Sequence, residues 1–291
     1  DSVASRGLGD VYKRQGQIYQ IPDLNRISMP RRVVVPSRIN IIGEHTDYAG
    51  GLALPFATNT YLELTITPLD EGFIGEQVVL EMWRAGDGYP AKLTVNSNIP
   101  IGKGMSSSAA LCVAIAVGVN PNIDKLSICK QAQKIEHQIL GTECGLLDQM
   151  AMVFAKQNHA TLINFSNHAV NYVPIDESWI FKLVDSGIHR NLSEINYQAN
   201  TEYLREHINS ENRRVNTAIN ANAEQLGKLL NESHDSLKQL GVSRTEIDDL
   251  VSSLQSTKGV LGARMMGGGY GGMILVLVES QDVLPLSLIH I

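Results

Sequence analysis

Pro36-Ser37-Arg38-Ile39-Asn40-Ile41-Ile42-Gly43-Glu44-His45-Thr46-Asp47-Tyr48-Ala49-Gly50-Gly51 is the stretch on which the reading of this chain turns. An apolar, β-branched run that reads as a strand stops at Gly43, and two carboxylates, a histidine, a threonine and a tyrosine follow at once. An ordinary turn does not need so many hydrogen-bonding side chains. A ligand covered in hydroxyls does, because carboxylates accept from pairs of OH groups while His and Tyr donate or accept.

Working outward, the two ends of the chain are set aside. Asp10–Gln15 can be encoded by an oligonucleotide whose reverse complement encodes Leu286–Ile291. Two unrelated termini should not share one string in opposite orientations. The string matches a transposase mosaic end used in sequencing libraries, and Ser5–Gly9 fit the adapter upstream of it. Residues 1–15 and 286–291 are therefore expected to be non-native and adapter-derived.

The chain has 291 residues, 43% hydrophobic and 19% charged, which suits a globular protein with one large core or two modest ones. Its net charge of −6 argues against a nucleic-acid surface. Any phosphate ligand must then be met locally, by backbone amides, a metal and a few cations. Cys112, Cys129 and Cys144 are odd in number and fall in apolar or helical contexts, so reduced thiols in a cytoplasmic compartment are expected. No apolar run approaches the ~18 residues of a membrane span, so no membrane partner is expected.

Patterning predicts strands at 33–35, 39–42, 60–67, 78–83 and 92–95. Helices are expected over 106–117, 123–140 and 146–155, strands at 161–165 and 181–184, helices over 192–208, 213–230 and 243–254, and a buried strand at 274–278. This mixture argues an α+β fold. Two domains are expected, over 16–170 and 171–285.

Three further segments carry chemistry. Pro100–Ala110 places Gly102 and Gly104 before Ser106, Ser107, Ser108 and Ala109 at the start of an apolar helix. Such a loop can form an amide-lined concavity, with the helix N-terminus turned toward an anion. It is not a Walker A loop, since no Gly-Lys-Ser/Thr triplet ends it. A serine-capped helix after a glycine turn explains it equally well. In Cys144–Met150, Asp148 interrupts an apolar helix start and reads either as a cap or as a functional carboxylate. Gly262–Gly272 contains Gly267, Gly268, Gly269 and Gly271 and is followed by a strand, so it fails as a dinucleotide fingerprint and implies close backbone approach instead. Glu136 alone reads as a solvated charge on an amphipathic helix, and Lys103 as a solvated loop residue.

Taken together and in this order, the segments resemble the motifs of the galactokinases within the GHMP sugar and metabolite kinases. The signature differs at Ser37, where Gly is usual, and the later motifs at Leu147 and Met266, where Met and Thr are usual. The resemblance implies a two-domain fold, with an N-terminal domain like ribosomal protein S5 domain 2 and a ferredoxin-like C-terminal domain. It implies ATP and Mg²⁺ as cofactors and phosphorylation of the C1 hydroxyl of galactose to galactose 1-phosphate. Carried over by motif, Arg38 and Asp148 are catalytic. Glu44, His45, Asp47, Gly145 and Tyr197 contact the sugar, Tyr197 because it stands twelve residues after Asp185 as in the family. Gly102, Gly104, Ser106, Ser107, Ser108 and Ala109 wrap ATP, Ser108 and Glu136 hold the metal, and Gly267, Gly268, Gly269 and Gly271 support the phosphate region. A monomer with a small-molecule sugar substrate is expected.

The chain is several tens of residues shorter than usual members, with the shortfall at the rim of the sugar pocket. Another sugar, such as N-acetylgalactosamine, a uronic acid or arabinose, stays open, as does a non-catalytic sugar and ATP sensor on the same fold. Sensors of this kind spoil the serine loop, whereas Ser106–Ala110 is intact here and Arg38 and Asp148 are both present.

Overall fold

The computed structural model describes residues 29–142, 144–188, 201–284 and 289–290. They combine helices and strands as an α+β chain should, and gather into two compact units. The first holds the described residues up to Arg38, then those of Phe56–Ile99 and Ser107–His159. The second holds Ile39–Pro55, Pro100–Ser106 and the described residues from Ala160 onward.

β1 (Arg31–Asn40), β3 (Pro55–Pro68), β5 (Ala91–Ser97) and β4 (Phe73–Ile74) form a sheet in the order β1-β3-β5-β4, in the first unit apart from Ile39, Asn40 and Pro55. β3 and β5 run antiparallel, with Leu62 opposite Ser97 and Pro68 opposite Ala91. Period-two alternation buries Leu62, Leu64 and Ile66 and leaves the intervening Glu63, Thr65 and Thr67 half-buried. Four helices complete the unit: α1 (Gln77–Ala85), α2 (Ser107–Val119), α3 (Lys125–Leu140) and α4 (Leu147–Val153). Asp124 caps α3 by accepting the Ser127 amide at 3.0 Å. From Ala109 to Gly118 only Leu111 escapes full burial in α2, as expected for a helix that is apolar all round. All three cysteines lie in this unit as free thiols, and burial pushes Cys129 up to about 12.

The strand expected at 78–83 is instead helix α1. Its buried positions are Val79, Leu80, Met82 and Trp83, a set that falls on one face at 3.6 residues per turn. Packing decided between two periods that a short apolar run leaves ambiguous. The Trp83 indole donates to the Tyr89 carbonyl at 2.7 Å and stacks edge-on with the Tyr89 ring, and a Cβ at Gly88 would strike its face.

In the second unit, β10 (Met273–Val278) is buried at every position and lies between β8 (Ile180–Asp185) and β9 (Val260–Met265), antiparallel to both. The backbone of β11 (Ile289–His290) pairs with the free edge of β8. A second, three-stranded sheet has the order β2 (Leu52–Ala53), β6 (His159–Asn164), β7 (Ala169–Pro174). Helices α5 (Thr201–Ala218), α6 (Ala223–Gln239) and α7 (Thr245–Gln255) complete the unit. Leu237, Leu240, Val251, Met265, Ile274 and Val276 are at the centre of its core. The helix expected over 213–230 is two helices. Asn222 starts the second with a reciprocal cap, accepting from Gln225 N at 2.9 Å while the Gln225 side chain accepts from its own amide at 3.1 Å.

The α6 and β9 backbones meet at two glycines. A Cβ at Gly227 would lie 2.2 Å from the Leu261 carbonyl oxygen, and one at Gly262 would lie 2.1 Å from that of Gly227. Both obstacles are backbone, so neither can swing aside. Gly227→Ala is expected to lower stability by roughly 1–3 kcal/mol, read as a lower midpoint in urea unfolding with an unchanged slope.

Candidate active site

Within the first unit, Arg38 comes from β1 and Asp148 from the first turn of α4. The Arg38 guanidinium donates to Asp148 Oδ1 through Nε at 2.7 Å and through Nη2 at 2.6 Å. Its side chain is 4% exposed and that of Asp148 is 26% exposed. The pair thus has a dry, charged base and a carboxylate reachable from water. Two donors converging on one carboxylate oxygen fix its position as well as pairing its charge.

Glu136 on α3 is buried, contrary to the solvated charge that the helix pattern alone suggests. Its Oε1 accepts from Ser108 Oγ at 2.7 Å, and Oε2 accepts from Gln149 Nε2 at 2.8 Å and from the Cys144 thiol. Burial raises its pKa, and the nearby Asp148 carboxylate adds to the rise while the Ser108 hydrogen bond opposes it. Two motif residues predicted for one role, Ser108 and Glu136, are therefore in direct contact. Gln149, next to Asp148 in sequence, ties α4 to that carboxylate and was not singled out by its sequence context.

The second unit holds the turn after the signature strand. Gly43 has φ +100°, and a Cβ there would lie 2.4 Å from the Leu52 carbonyl oxygen, so only glycine fits. Thr46 is buried and donates to the carbonyls of Gly43 and Leu52, each at 2.9 Å. His45 is buried with φ +56°, and its Nδ1 lies 3.2 Å from the Tyr48 hydroxyl. Asp47 is half-buried and opens a 3-10 turn over Asp47–Ala49. Glu44 turns inward: its Oε1 accepts the Gly267 amide at 2.8 Å and faces Arg264 at 3.3 Å.

Helix α5 supports this turn with residues that the sequence did not advertise. Glu211 is fully buried; its Oε1 accepts the Gly43 amide at 3.0 Å and Ser233 Oγ at 2.7 Å, and its Oε2 is paired with Arg214 at 2.6 Å. Asn212 Oδ1 accepts the Leu52 amide at 2.7 Å. His207 Nε2 lies 2.9 Å from the Glu44 carbonyl and must donate to it, so Nδ1 accepts from Ser236 Oγ at 2.8 Å. Burial lowers the pKa of this neutral ring.

The phosphate-type loop has φ +71° at Gly102, +80° at Gly104 and +59° at Ser106 before α2 begins at Ser107. Lys103, expected in water, is paired with Asp185, and its carbonyl accepts the Met273 amide at 3.2 Å. In the glycine-rich loop, a Cβ at Gly269 would lie 2.0 Å from the Val242 carbonyl oxygen, which accounts for the glycine there. Gly145 is half-buried just before α4, and Gly268 and Gly271 lie in the turn between β9 and β10. Tyr197 lies outside the described residues. Among the described residues, no three His, Cys, Asp or Glu side chains group as a metal cluster, and no helix is long and apolar enough to cross a membrane.

Residues 28–68 match the galactokinase galactose-binding signature, 76–156 the GHMP kinases N terminal domain and 216–284 the GHMP kinases C terminal domain. A galactokinase of Thermotoga maritima is 36% identical over 84% of this chain and 89% of its own length. The crystal structure of Lactococcus lactis galactokinase complexed with galactose superposes with a TM-score of 0.77 at 24% identity, over 88% of this chain and 87% of that one. The L. major mevalonate kinase in complex with R-mevalonate has the same fold at a TM-score of 0.65 and 19% identity, over 92% and 91% of the two chains. Fold and loops thus define a GHMP kinase with the family's two domains. Within that class the chain belongs to the galactokinase family, a group of ATP-using sugar kinases.

A histidine held neutral below its usual pKa gives stability that is present above about pH 6.5 and lost as the pH falls toward the folded value. His207 and His234 are both depressed by burial, so the urea midpoint should fall from pH 7 to pH 5. His207→Gln is expected to flatten that slope, measured as unfolding midpoint against pH.

Proposed function

We propose that this protein transfers the γ-phosphoryl group of ATP to the C1 hydroxyl of galactose, giving galactose 1-phosphate, ADP and a proton. The observation that supports this reading is the ion pair of Arg38 with Asp148, in which Asp148 is partly exposed and Arg38 is buried. The guanidinium holds the Asp148 carboxylate in one orientation, which suits alignment of a hydroxyl. Phosphoryl transfer tolerates this well, because its transition state is loose and positioning dominates. Asp148 aligns the nucleophilic hydroxyl and receives its proton, while Arg38 offsets charge on the transferring group.

Glu44, His45 and Asp47, with Gly145 and Tyr197, accept and donate to the sugar hydroxyls in this reading. Gly102 to Ala109 wrap the ATP phosphates with amides and hydroxyls, and the loop at Gly267 to Gly271 supports them. Ser108 and Glu136 would hold Mg²⁺. Their oxygens are the hard donors that this ion takes, and Glu136 is a buried carboxylate whose main neighbours are another carboxylate and neutral donors. When bound, the ion neutralises phosphate charge. The protein acts as a monomer in the cytoplasm, where its three free thiols stay reduced.

Coupled-assay turnover with galactose and Mg·ATP should drop by roughly 10²-fold or more in Asp148→Asn. Full activity in that variant would remove Asp148 from the mechanism. Glu136→Gln should raise the Mg²⁺ concentration for half-maximal rate by about tenfold, while the KM for galactose stays within about twofold. Equal Mg²⁺ dependence in the two proteins would reject Glu136 as the metal carboxylate.

A further inference from the structure

Arg264 is a fully buried arginine in a strand of otherwise apolar or small residues, and nothing in the proposed chemistry uses it. Its Nε donates to the Ile41 carbonyl at 2.8 Å and its Nη1 to the Met265 carbonyl at 2.8 Å. Nη2 donates to the Asn40 carbonyl and faces Glu44 Oε1 at 3.3 Å. Of these four acceptors, three belong to the signature stretch at 40–44. The Gly267 amide, three residues further along, ends on the same Glu44 oxygen at 2.8 Å.

Asn40 supplies the second observation. Its side-chain amide is buried, and neither Oδ1 nor Nδ2 has a hydrogen-bond partner among the described residues. The strand end is therefore not fastened by the side chain best suited to do it. Its carbonyls are fastened from the other side, by the guanidinium. An arginine removed from water is stable only where acceptors surround it, so Arg264 and this strand end fix one another.

We infer that Arg264 is a positioning residue for sugar recognition: it sets the 40–44 backbone and the Glu44 carboxylate, so the glycine-rich motif that carries it serves the sugar as well as the phosphates. The inference rests on the sugar-kinase reading above. A lysine can reach one or two of these acceptors as a point charge but cannot span all four, since it lacks the planar fork.

The test uses the full chain, with Arg264→Lys and Arg264→Gln beside the native protein. Initial rates are measured against galactose, against ATP, and against the monodeoxygalactoses in turn. The native protein should lose kcat/KM sharply with the deoxy sugar whose missing hydroxyl is the one met by Glu44. In Arg264→Lys the KM for galactose should rise about tenfold, the KM for ATP should stay within about twofold, and the penalty for that deoxy sugar should shrink by about tenfold. Arg264→Gln should show the same pattern more strongly. Equal rises in both KM values, or an unchanged deoxy penalty, would overturn the inference. So would loss of the folded state in both variants, because Arg264 would then be holding the fold alone. A native protein that phosphorylates no sugar would instead reject the underlying kinase reading.

Discussion

A guanidinium or carboxylate withdrawn from water must find its charge and hydrogen bonds inside the protein, and that constraint shapes both units. Arg264 and Glu211 have no exposure at all, and Arg38 and Glu136 have almost none. Arg264, Glu211 and Glu136 are each satisfied by several partners, most of them backbone groups or short polar side chains, and Arg38 is paired with Asp148. Removing one partner of such a set leaves a charge stranded, which costs more than the lost contact itself. The Gly43 turn and the 40–44 backbone are therefore held by buried charge as well as by the apolar core.

Backbone conformation adds a second layer of constraint. Gly43 and Gly269 have positive φ and carbonyl oxygens where a side chain would stand. His45 and Ser106 take positive φ without being glycine, and both belong to loops predicted to meet ligand. Residues held in sparsely populated conformations persist only when their surroundings over-determine them. For His45 those surroundings include Tyr48 and a turn pinned by Thr46.

Much of this was legible in the sequence, and the gaps have physical causes. The serine helix and the buried run at β10 announced themselves by local pattern, whereas the strand expected to run to Gly43 ends at Asn40. Local pattern failed where a distant residue decides the outcome. A Trp packing edge-on with Tyr89 selected helix over strand for 78–83. Glu136 sits on a helix whose pattern suggests solvent, yet its face is covered by Ser108 and Gln149. Lys103 is drawn to Asp185, some eighty residues away in sequence. Arg264 carried one usable signal, a charge inside a strand pattern with small neighbours. Glu211 and Asn212 carried none, because a polar residue on an amphipathic helix looks the same whether it meets water or a backbone amide.

The cysteines have a consequence for how the protein can be watched. Cys112, Cys129 and Cys144 all lie in the first unit, and burial pushes each thiol upward, so the reactive thiolate is scarce in the folded state. Alkylation of the two buried thiols, Cys112 and Cys129, is thus a clock that runs as the first unit opens. The second unit has no such clock but has Trp179, while the other tryptophan, Trp83, belongs to the first. Thiol trapping therefore follows the first unit, and indole emission follows both, without adding a foreign label to either.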